Sequence, residues 1–347
     1  MDYKKEKNLE KEEKLNEQLK QMPEFCRDYF IYCSGTLERS PDTMLGYAYD
    51  LLAFFRYLVS SNPSIRSIDD ITLSVLECID PKDIQEYMFY QKVHKNEDGN
   101  VVTNCAKTRA RKLASLRSFY KYLYTFQGIK TNPAALINSP HITKKKLSHL
   151  DRDEAGELIH GVETGDALTE KQRPYAKYSN LRDTAIIKLL LGTGIRVSEL
   201  VGIDLDDIDW DSGQIKIVRK GGNDDVVYIG DEIKKALDDY IRFERQPYDD
   251  SQRALFIASR GQKGRLTVRS VEILVKKYGA GTVKTKKTTP HTLRRSFGVN
   301  LYAESSDIYL VSDALGHKDI KVTADHYTDI DQNRKKSVGK FSDGFLS

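Results

Sequence analysis

A change of composition near the middle of the chain most constrains its fold. The segment from Asn132 to Leu150 reads NPAALINSPHITKKKLSHL and combines two prolines with the run Lys144, Lys145 and Lys146. Proline fixes its own backbone angle and lacks an amide hydrogen, so this composition is typical of a linker. A chain of 347 residues is long enough for two domains of ordinary size. We therefore expect a small helical N-terminal domain and a larger C-terminal domain on either side of the segment.

The composition indicates a folded protein and excludes several classes. Hydrophobic residues make up 39% of the chain and charged residues 31%, which is unlike a disordered protein. We find neither an apolar run of about 20 residues for a membrane span nor a secretion signal in the charged stretch Met1–Gln21, and we expect a cytoplasmic protein. The four cysteines lack the two-residue spacing of zinc or redox motifs. The net charge of +4 does not by itself indicate a nucleic-acid partner.

Three helices are predicted in the N-terminal part. Residues 1–22 alternate lysine and glutamate and form either a solvated helix or a frayed segment, with no assigned function. The first predicted helix spans Ser40 to Ser61, with Ser40 as the N-cap, and the second begins near Pro81. A polar loop is expected at residues 94–100.

The third helix, from about Thr103 to Phe126, carries a basic surface. Its cationic residues are Lys107, Arg109, Arg111, Lys112, Arg117 and Lys121, and no acidic residue interrupts them. On a lone helix we favour a solvated basic face, whereas in a DNA-handling chain such a face would follow phosphates. The lysines at 144–146 are ambiguous in the same way, since an exposed linker often carries a chance lysine cluster.

The C-terminal half mixes helices with a small β-structure. A helix is predicted to start at Asp151–Glu154, and a polar insertion follows at residues 163–180. The stretch LRDTAIIKLLLGTGIRVSEL predicts a buried helix that Gly192 and Gly194 end, followed by a second helix. The segment QIKIVRKGGNDDVVYIGD alternates in polarity around a glycine turn and predicts a β-hairpin.

Single residues in this half are weak signals, but their combination is not. In chain order it presents GTGIRVSEL, a lysine in a hairpin turn, HTLRR, LGH and a tyrosine ten residues later. This series resembles the active-site pattern of the tyrosine recombinase (phage integrase) family over residues 147–335. The resemblance implies a mainly α fold with a small β-sheet, in which an N-terminal helical core-binding (SAM-like) bundle precedes an α+β catalytic domain. The residues that match the pattern are Arg196, Lys220, His291, Arg294, His317 and Tyr327.

The resemblance also implies a role for each matched residue. Tyr327 would attack a DNA phosphodiester and form a 3′-phosphotyrosine bond while a 5′-hydroxyl leaves. Arg196 and Arg294 would neutralise the transition state, Lys220 would protonate the leaving oxygen and His291 would accept the tyrosine proton. His317 would hydrogen-bond the phosphate.

Two further residues near the matched positions are read as structural. Glu199 matches a position that is often acidic in the family, and His326 stands beside the nucleophile. No metal and no cofactor is expected, since neither carboxylate nor cysteine stands at ligand spacing beside the histidines.

The resemblance divides the chain and indicates its partners. The expected parts are a charged segment at 1–22, the core-binding domain at 23–138, the linker at 139–150, the catalytic domain at 151–335 and a tail for subunit contact at 336–347. The two domains would clamp double-stranded DNA at inverted-repeat half-sites, as a homotetramer on two DNA sites. The leading DNA contacts are Lys107, Arg109 and Arg111. Further candidate contacts are Lys112 on the same helix and Lys144, Lys145 and Lys146 in the linker. A DNA translocase or a second recombinase is a further candidate partner.

Several functions share this chemistry. No separate N-terminal domain of arm-binding size precedes residue 23, which favours a Xer-type chromosome dimer resolvase or a simple element-borne integrase over an arm-binding integrase. Of these two, the Xer-type resolvase is favoured. An integrase or excisionase of a mobile element is the main alternative. A type IB topoisomerase and a catalytically lapsed DNA-binding factor are the remaining alternatives.

Overall fold

The computed structural model describes residues 3–95, 99–143, 148–176, 178–219, 221–245, 252–258, 264–317 and 319–320. The chain separates into two compact units, Met1–Lys145 and Lys146–Ser347. The division falls within the proline- and lysine-containing segment 132–150. Within the described ranges, no helix combines the length and the apolar character needed to cross a membrane.

The N-terminal unit is a bundle of helices with one short hairpin. Its elements are α1 (Tyr3–Leu19), α2 (Phe25–Gly35), α3 (Pro41–Ser61), α4 (Leu73–Cys78), α5 (Pro81–Tyr90), β1 (Val93–Lys95), β2 (Val101–Thr103) and α6 (Ala106–Phe126). The Ser40 hydroxyl accepts from the amide of Thr43 and caps α3, and the Asp80 carboxylate caps α5. The two predicted helix starts are therefore confirmed.

Aromatic side chains fill the core of this unit. Tyr29, Phe54, Phe55 and Phe119 are fully buried. The rings of Tyr29 and Phe119 meet edge to face with centroids 5.2 Å apart. Such pairs add to the free energy gained by burying large apolar surface, so α2, α3 and α6 are held together mainly through this cluster.

Two parts of this unit differ from the sequence-based expectations. The segment 1–22 contains a helix that packs on the bundle, because Leu15 is buried in the core and Lys11 pairs with Asp42 at 2.7 Å. Two short antiparallel strands lie on either side of the expected polar loop, and β1 pairs with β2 from Val93↔Thr103 to Lys95↔Val101. This pairing takes Thr103 into a strand, so α6 begins at Ala106 and not at Thr103.

The C-terminal unit is mainly helical with one small sheet. Its elements are α7 (Arg152–Thr164), α8 (Arg173–Ala176), α9 (Asn180–Thr193), α10 (Val197–Gly202), β3 (Ile208–Asp209), β4 (Gln214–Val218), β5 (Asp224–Tyr228), α11 (Asp231–Asp239), α12 (Val268–Thr282), α13 (Pro290–Ser305) and α14 (Ile308–Ala314). The three strands form an antiparallel sheet in the order β3, β4, β5. The predicted hairpin is confirmed, with pairing from Gln214↔Tyr228 to Val218↔Asp224.

Helix α9 lies at the centre of this unit and fixes where the site forms. Its residues Ala185–Ile187 and Leu189–Leu190 are fully buried, and it packs against α7, α11 and α13. The helix ends where Gly194 takes a left-handed conformation, with φ of 61°. A Cβ at Gly194 would lie 2.4 Å from a ring carbon of Phe297. Only glycine allows the chain to turn here towards α10 without displacing α13.

Candidate active site

Helix α13 positions Arg294 in the interior of the C-terminal unit. Thr289 caps the helix and Pro290 occupies its first position. His291 and Arg294 are three residues apart in this helix, and that spacing puts both side chains on one face. The Arg294 side chain is buried, and its guanidinium donates to the carbonyl of Gly194 at 2.5 Å and to the carbonyl of Leu315. The guanidinium is therefore held between the end of α9 and the chain that follows α14.

Arg196 starts α10 and reaches the same region from another side. Its amide donates to one carboxylate oxygen of Glu199 at 2.8 Å, and its guanidinium donates to the other at 2.7 Å. A second guanidinium nitrogen lies 3.4 Å from the carbonyl oxygen of Gly316. Glu199 is buried, whereas the Arg196 side chain is 30% exposed. The buried Glu199 carboxylate thus orients Arg196, whose side chain remains partly exposed to solvent.

The residues Ala314–Gly316, named here the 314–316 turn, form the meeting point of three arginines. Arg294 donates to Leu315, Arg196 to Gly316, and Arg219 to Ala314 at 3.2 Å. Because His317 follows the turn directly, its backbone is held close to these groups. The His317 amide itself donates to the carbonyl of Ser312 at 2.9 Å.

His291 lies at the surface beside this cluster. Partial burial lowers the pKa of His291 below its usual 6.5, and the positive charges of Arg295, Arg294 and Arg196 lower it further. His291 and Arg294 are also neighbours on one face of α13. A neutral imidazole can accept a proton, so the arrangement suits a general base.

Arg219 is a member of the cluster that the sequence analysis did not single out. It lies between β4 and the hairpin turn and donates to Glu199 at 3.3 Å and to Asp225 at 2.7 Å. The available signal was an arginine directly before the hairpin lysine, in a stretch that otherwise alternates valine and isoleucine with polar residues. That signal is weak because arginine is common at the ends of exposed hairpins.

Four of the six candidate catalytic residues are described by the structure, and all four lie at or beside the 314–316 turn. They are Arg196, His291, Arg294 and His317. The candidates Lys220 and Tyr327, and also His326, lie outside the described residues. Their roles stay predictions.

The basic residues of α6 do not share one exposed face. Arg111 pairs with the buried carboxylate of Asp50, and Lys112 lies 3.6 Å from the same group. Only 12% of the Lys112 side chain is exposed, so the exposure expected for it is not observed. The physical reason is that Asp50, although buried in α3, needs nearby cations to offset its lost hydration.

The other predicted DNA contacts differ in exposure. Lys107 is exposed and Arg109 is partly buried. Arg117, also on α6, donates to the carbonyls of Ala134 and Ile137 and so holds the start of the linker segment. The lysines at 144–146 lie outside the described residues.

Comparison with known proteins identifies the class. The family described as Phage integrase family matches residues 149–334, and the Phage integrase N-terminal SAM-like domain matches residues 27–127. The chain therefore belongs to the tyrosine recombinase (phage integrase) family. It is a site-specific recombinase of the Xer type, as its relatives indicate.

Two curated relatives illustrate the match in sequence. Tyrosine recombinase XerC of Caldanaerobacter subterraneus subsp. tengcongensis is 32% identical over 330 residues, which cover 92% of this chain and 86% of the relative. Tyrosine recombinase XerC of Myxococcus xanthus is 31% identical over 305 residues, covering 86% of this chain and 90% of the relative.

The solved structures are alike in fold. XerH bound to palindromic difH substrate has a TM-score of 0.63 at 19% identity, covering 89% of this chain and 83% of that one. A lambda integrase(75-356) dimer bound to a COC′ core site has a TM-score of 0.60 at 18% identity, covering 87% of this chain and 93% of that one. The predicted fold class is confirmed.

Proposed function

We propose that this recombinase cuts and rejoins double-stranded DNA through a 3′-phosphotyrosine bond to Tyr327. The observation that carries the proposal is the convergence of Arg196 and Arg294 on the 314–316 turn, with His291 beside them. This turn leads directly into the chain segment that ends at Tyr327. A rigid pair of guanidinium groups next to a neutral imidazole suits a phosphate that gains negative charge during displacement.

Each candidate residue has a distinct role in the proposed step. The Tyr327 oxygen attacks phosphorus and its proton passes to His291, while the bond to the 5′-oxygen breaks and Lys220 supplies the proton to that oxygen. Arg196 and Arg294 bind the non-bridging oxygens, and His317 donates a hydrogen bond to the phosphate. Rejoining is the reverse, since a 5′-hydroxyl attacks the phosphotyrosine. The bond energy is conserved in the phosphotyrosine, so no ATP is required.

The relatives support a cellular role for this chemistry. We infer resolution of chromosome dimers in the cytoplasm, by a homotetramer that joins two DNA sites built from inverted-repeat half-sites. XerC-named relatives match over most of the chain, and the XerH structure contains its palindromic difH substrate. In this proposal the tail at 336–347 contacts a neighbouring subunit, and a DNA translocase or second recombinase is a further partner. Integration or excision of a mobile element is the alternative biological role.

The DNA contacts of the N-terminal unit belong to the same proposal. Lys107 is exposed and the Arg111 side chain is 49% exposed, so they are the members of α6 that we consider most available to phosphates. Arg109 and Lys112 contribute through the charge that they add beside these residues. The linker lysines at 144–146 are further candidate phosphate contacts.

Trapping the covalent intermediate tests this function. DNA duplexes that the protein binds are first selected from a random-sequence library. Substrates are then made from a selected duplex with a nick at different positions in one strand. Cleavage near the nick releases a short fragment with a 5′-hydroxyl, which diffuses away and traps the covalent intermediate. We expect a covalent adduct on a denaturing gel, with Tyr327 as the modified residue in mass spectrometry. A protein that relaxes plasmids lacking the selected site would instead be a topoisomerase, and one that binds without forming an adduct would be a lapsed factor.

The low pKa of His291 predicts the acid side of the pH profile. Because partial burial and three arginines lower this pKa, His291 stays neutral until the pH falls below 6.5. At DNA concentrations far below saturation, where the rate reports the free protein, single-turnover cleavage should therefore remain above half of its plateau at pH 6.5 and decline only at lower pH. His291→Ala should lower the plateau by about 10²-fold and remove this decline. A midpoint above pH 6.5 in the parent would contradict the assignment of His291 as the base.

A further inference from the structure

We propose that Arg219 is a positioning residue that fixes the Lys220 hairpin to the 314–316 turn. The inference rests on the proposed role of Lys220 as the acid that protonates the leaving oxygen. Arg219 precedes Lys220 by one peptide bond, so whatever holds Arg219 limits where Lys220 can lie.

The contacts of Arg219 join three separate parts of the C-terminal unit. Its Nε donates to Asp225 Oδ2 at 2.7 Å, which closes the hairpin across β4 and β5. One terminal nitrogen donates to Glu199 Oε2 at 3.3 Å, and the other donates to the carbonyl of Ala314 at 3.2 Å. A planar group with donors in fixed directions is suited to hold several partners at once. The Arg219 side chain therefore connects the hairpin, α10 and the 314–316 turn.

Arg219 is buried, and a neighbouring glycine leaves the space that its guanidinium group occupies. Arg219 is only 8% exposed. Gly316 has φ of 59°, and a Cβ at that position would lie 2.8 Å from both Cζ and Nε of Arg219. The glycine of the LGH motif thus satisfies two requirements, a left-handed backbone and the close approach of a guanidinium.

Charge compensation explains how the arginine is tolerated inside the protein. Glu199 and Asp225 both pair with it, and Glu199 is buried. Partial burial raises the pKa of Asp225, but the hydrogen bonds from Arg219 and from the Val226 amide outweigh this and lower it overall. The two carboxylates offset the desolvation of the arginine. Removing the arginine would take this ion pair from Asp225, whereas Glu199 would keep its pair with Arg196.

The hairpin turn is closed by backbone hydrogen bonds from the Arg219 amide to the Asn223 carbonyl at 2.8 Å and from the Gly222 amide to the Arg219 carbonyl at 3.1 Å. Gly221 and Gly222 both have positive φ, at 101° and 93°. Glycine adopts such conformations without strain, so the shape of the turn depends on these two residues. The anchor at Arg219 therefore restricts the hairpin next to the lysine, where a small displacement would separate a proton donor from its oxygen.

Glu199 connects this anchor to the catalytic arginine. One of its oxygens accepts from Arg196 and the other accepts from the Arg196 amide and from Arg219. The carboxylate therefore orients a candidate catalytic residue and the positioning residue at the same time. We expect loss of Arg219 to affect the leaving-group step most, because Arg196 retains both of its contacts to Glu199.

The test compares two leaving groups on the parent, Arg219→Gln, Lys220→Ala and the control Arg242→Gln. Arg242 is an exposed arginine paired with Asp238 in a helical turn. One substrate carries the normal 5′-oxygen at the scissile phosphate, and the other carries a bridging 5′-sulfur. A thiolate leaves without needing a proton, because its conjugate acid is much stronger than an alcohol.

We expect Arg219→Gln to cleave the oxygen substrate about 10²-fold more slowly than the parent and the sulfur substrate within about threefold of it. Lys220→Ala should show the same pattern, and Arg242→Gln should match the parent on both substrates. Arg219→Lys keeps a charge beside Glu199 but cannot reach every partner, so its defect should be smaller and equally relieved by sulfur. Thermal unfolding identifies which variants are folded, and Arg219→Lys carries the test if Arg219→Gln is not.

The possible failures are distinguishable. Equal slowing of a folded Arg219 variant on both substrates, with Lys220→Ala still relieved by sulfur, would show that Arg219 has a general structural role and overturn the inference alone. Parent-like cleavage of the oxygen substrate by both Arg219 variants would also overturn it. If sulfur does not relieve Lys220→Ala, the proposed role of Lys220 is wrong, and the inference that depends on it is overturned as well.

Discussion

Replacing Tyr327 by phenylalanine should abolish the covalent protein–DNA adduct while leaving DNA affinity within about twofold of the parent. The substitution removes one phenolic oxygen, and without it no other group in the proposed mechanism can form the phosphotyrosine bond. The adduct is measured on a denaturing gel with the nicked substrate, and the affinity by gel shift at matched salt concentration, because phosphate contacts make binding strongly salt-dependent.

A matched control guards against a general effect of losing a tyrosine. The chain contains 20 tyrosines, and Tyr309 on α14 is 74% exposed. Tyr309→Phe should form the adduct at the parent rate. An adduct that persists in Tyr327→Phe would assign the nucleophile to another residue, and the proposed mechanism would then fail at its central step.

Local sequence signals predicted individual elements of both units, including some that carry the candidate site. The cap at Ser40, the capping box at Asp151 and the glycine turn of the β4–β5 hairpin each act within a few residues. Such features depend on backbone groups of the same segment, so a single sequence contains them in full. The spacing of His291 and Arg294 was similarly sufficient to place both on one face of α13.

Contacts between distant segments were not predictable in this way. Glu199 contacts Arg219, which is 20 residues away in the sequence, and Asp50 contacts Arg111, which is 61 residues away. Neither pair has a spacing that indicates contact, because each depends on how complete elements pack. For the same reason the sequence suggested that Lys112 is exposed, whereas the buried carboxylate of Asp50 draws it inward. Charged residues in a helix are therefore poor indicators of a surface until their partners are known.

Replacing Arg294 by glutamine should lower the single-turnover cleavage rate by about 10³-fold or more at saturating DNA. Loss of one preorganised donor to a developing oxyanion costs about 10²–10³-fold, and Arg294 supplies a full charge in addition. The same substitution should reduce the free energy of unfolding of the C-terminal unit by about 1–3 kcal/mol. The cause is that Gly194 and Leu315 lose a buried donor to their carbonyls. The rate is followed by gel and the stability by urea unfolding.

A second substitution and a control separate the two functions of this arginine. Arg253, an exposed arginine paired with Asp206, is the control, and Arg253→Gln should alter neither quantity. Arg294→Lys restores the positive charge but cannot span Gly194 and Leu315, so it should recover part of the rate and little of the stability. If Arg294→Lys recovered stability but no rate, the geometry of the guanidinium would matter more than its charge. A folded Arg294→Gln that cleaves within about tenfold of the parent would place the transition-state contact elsewhere in the cluster.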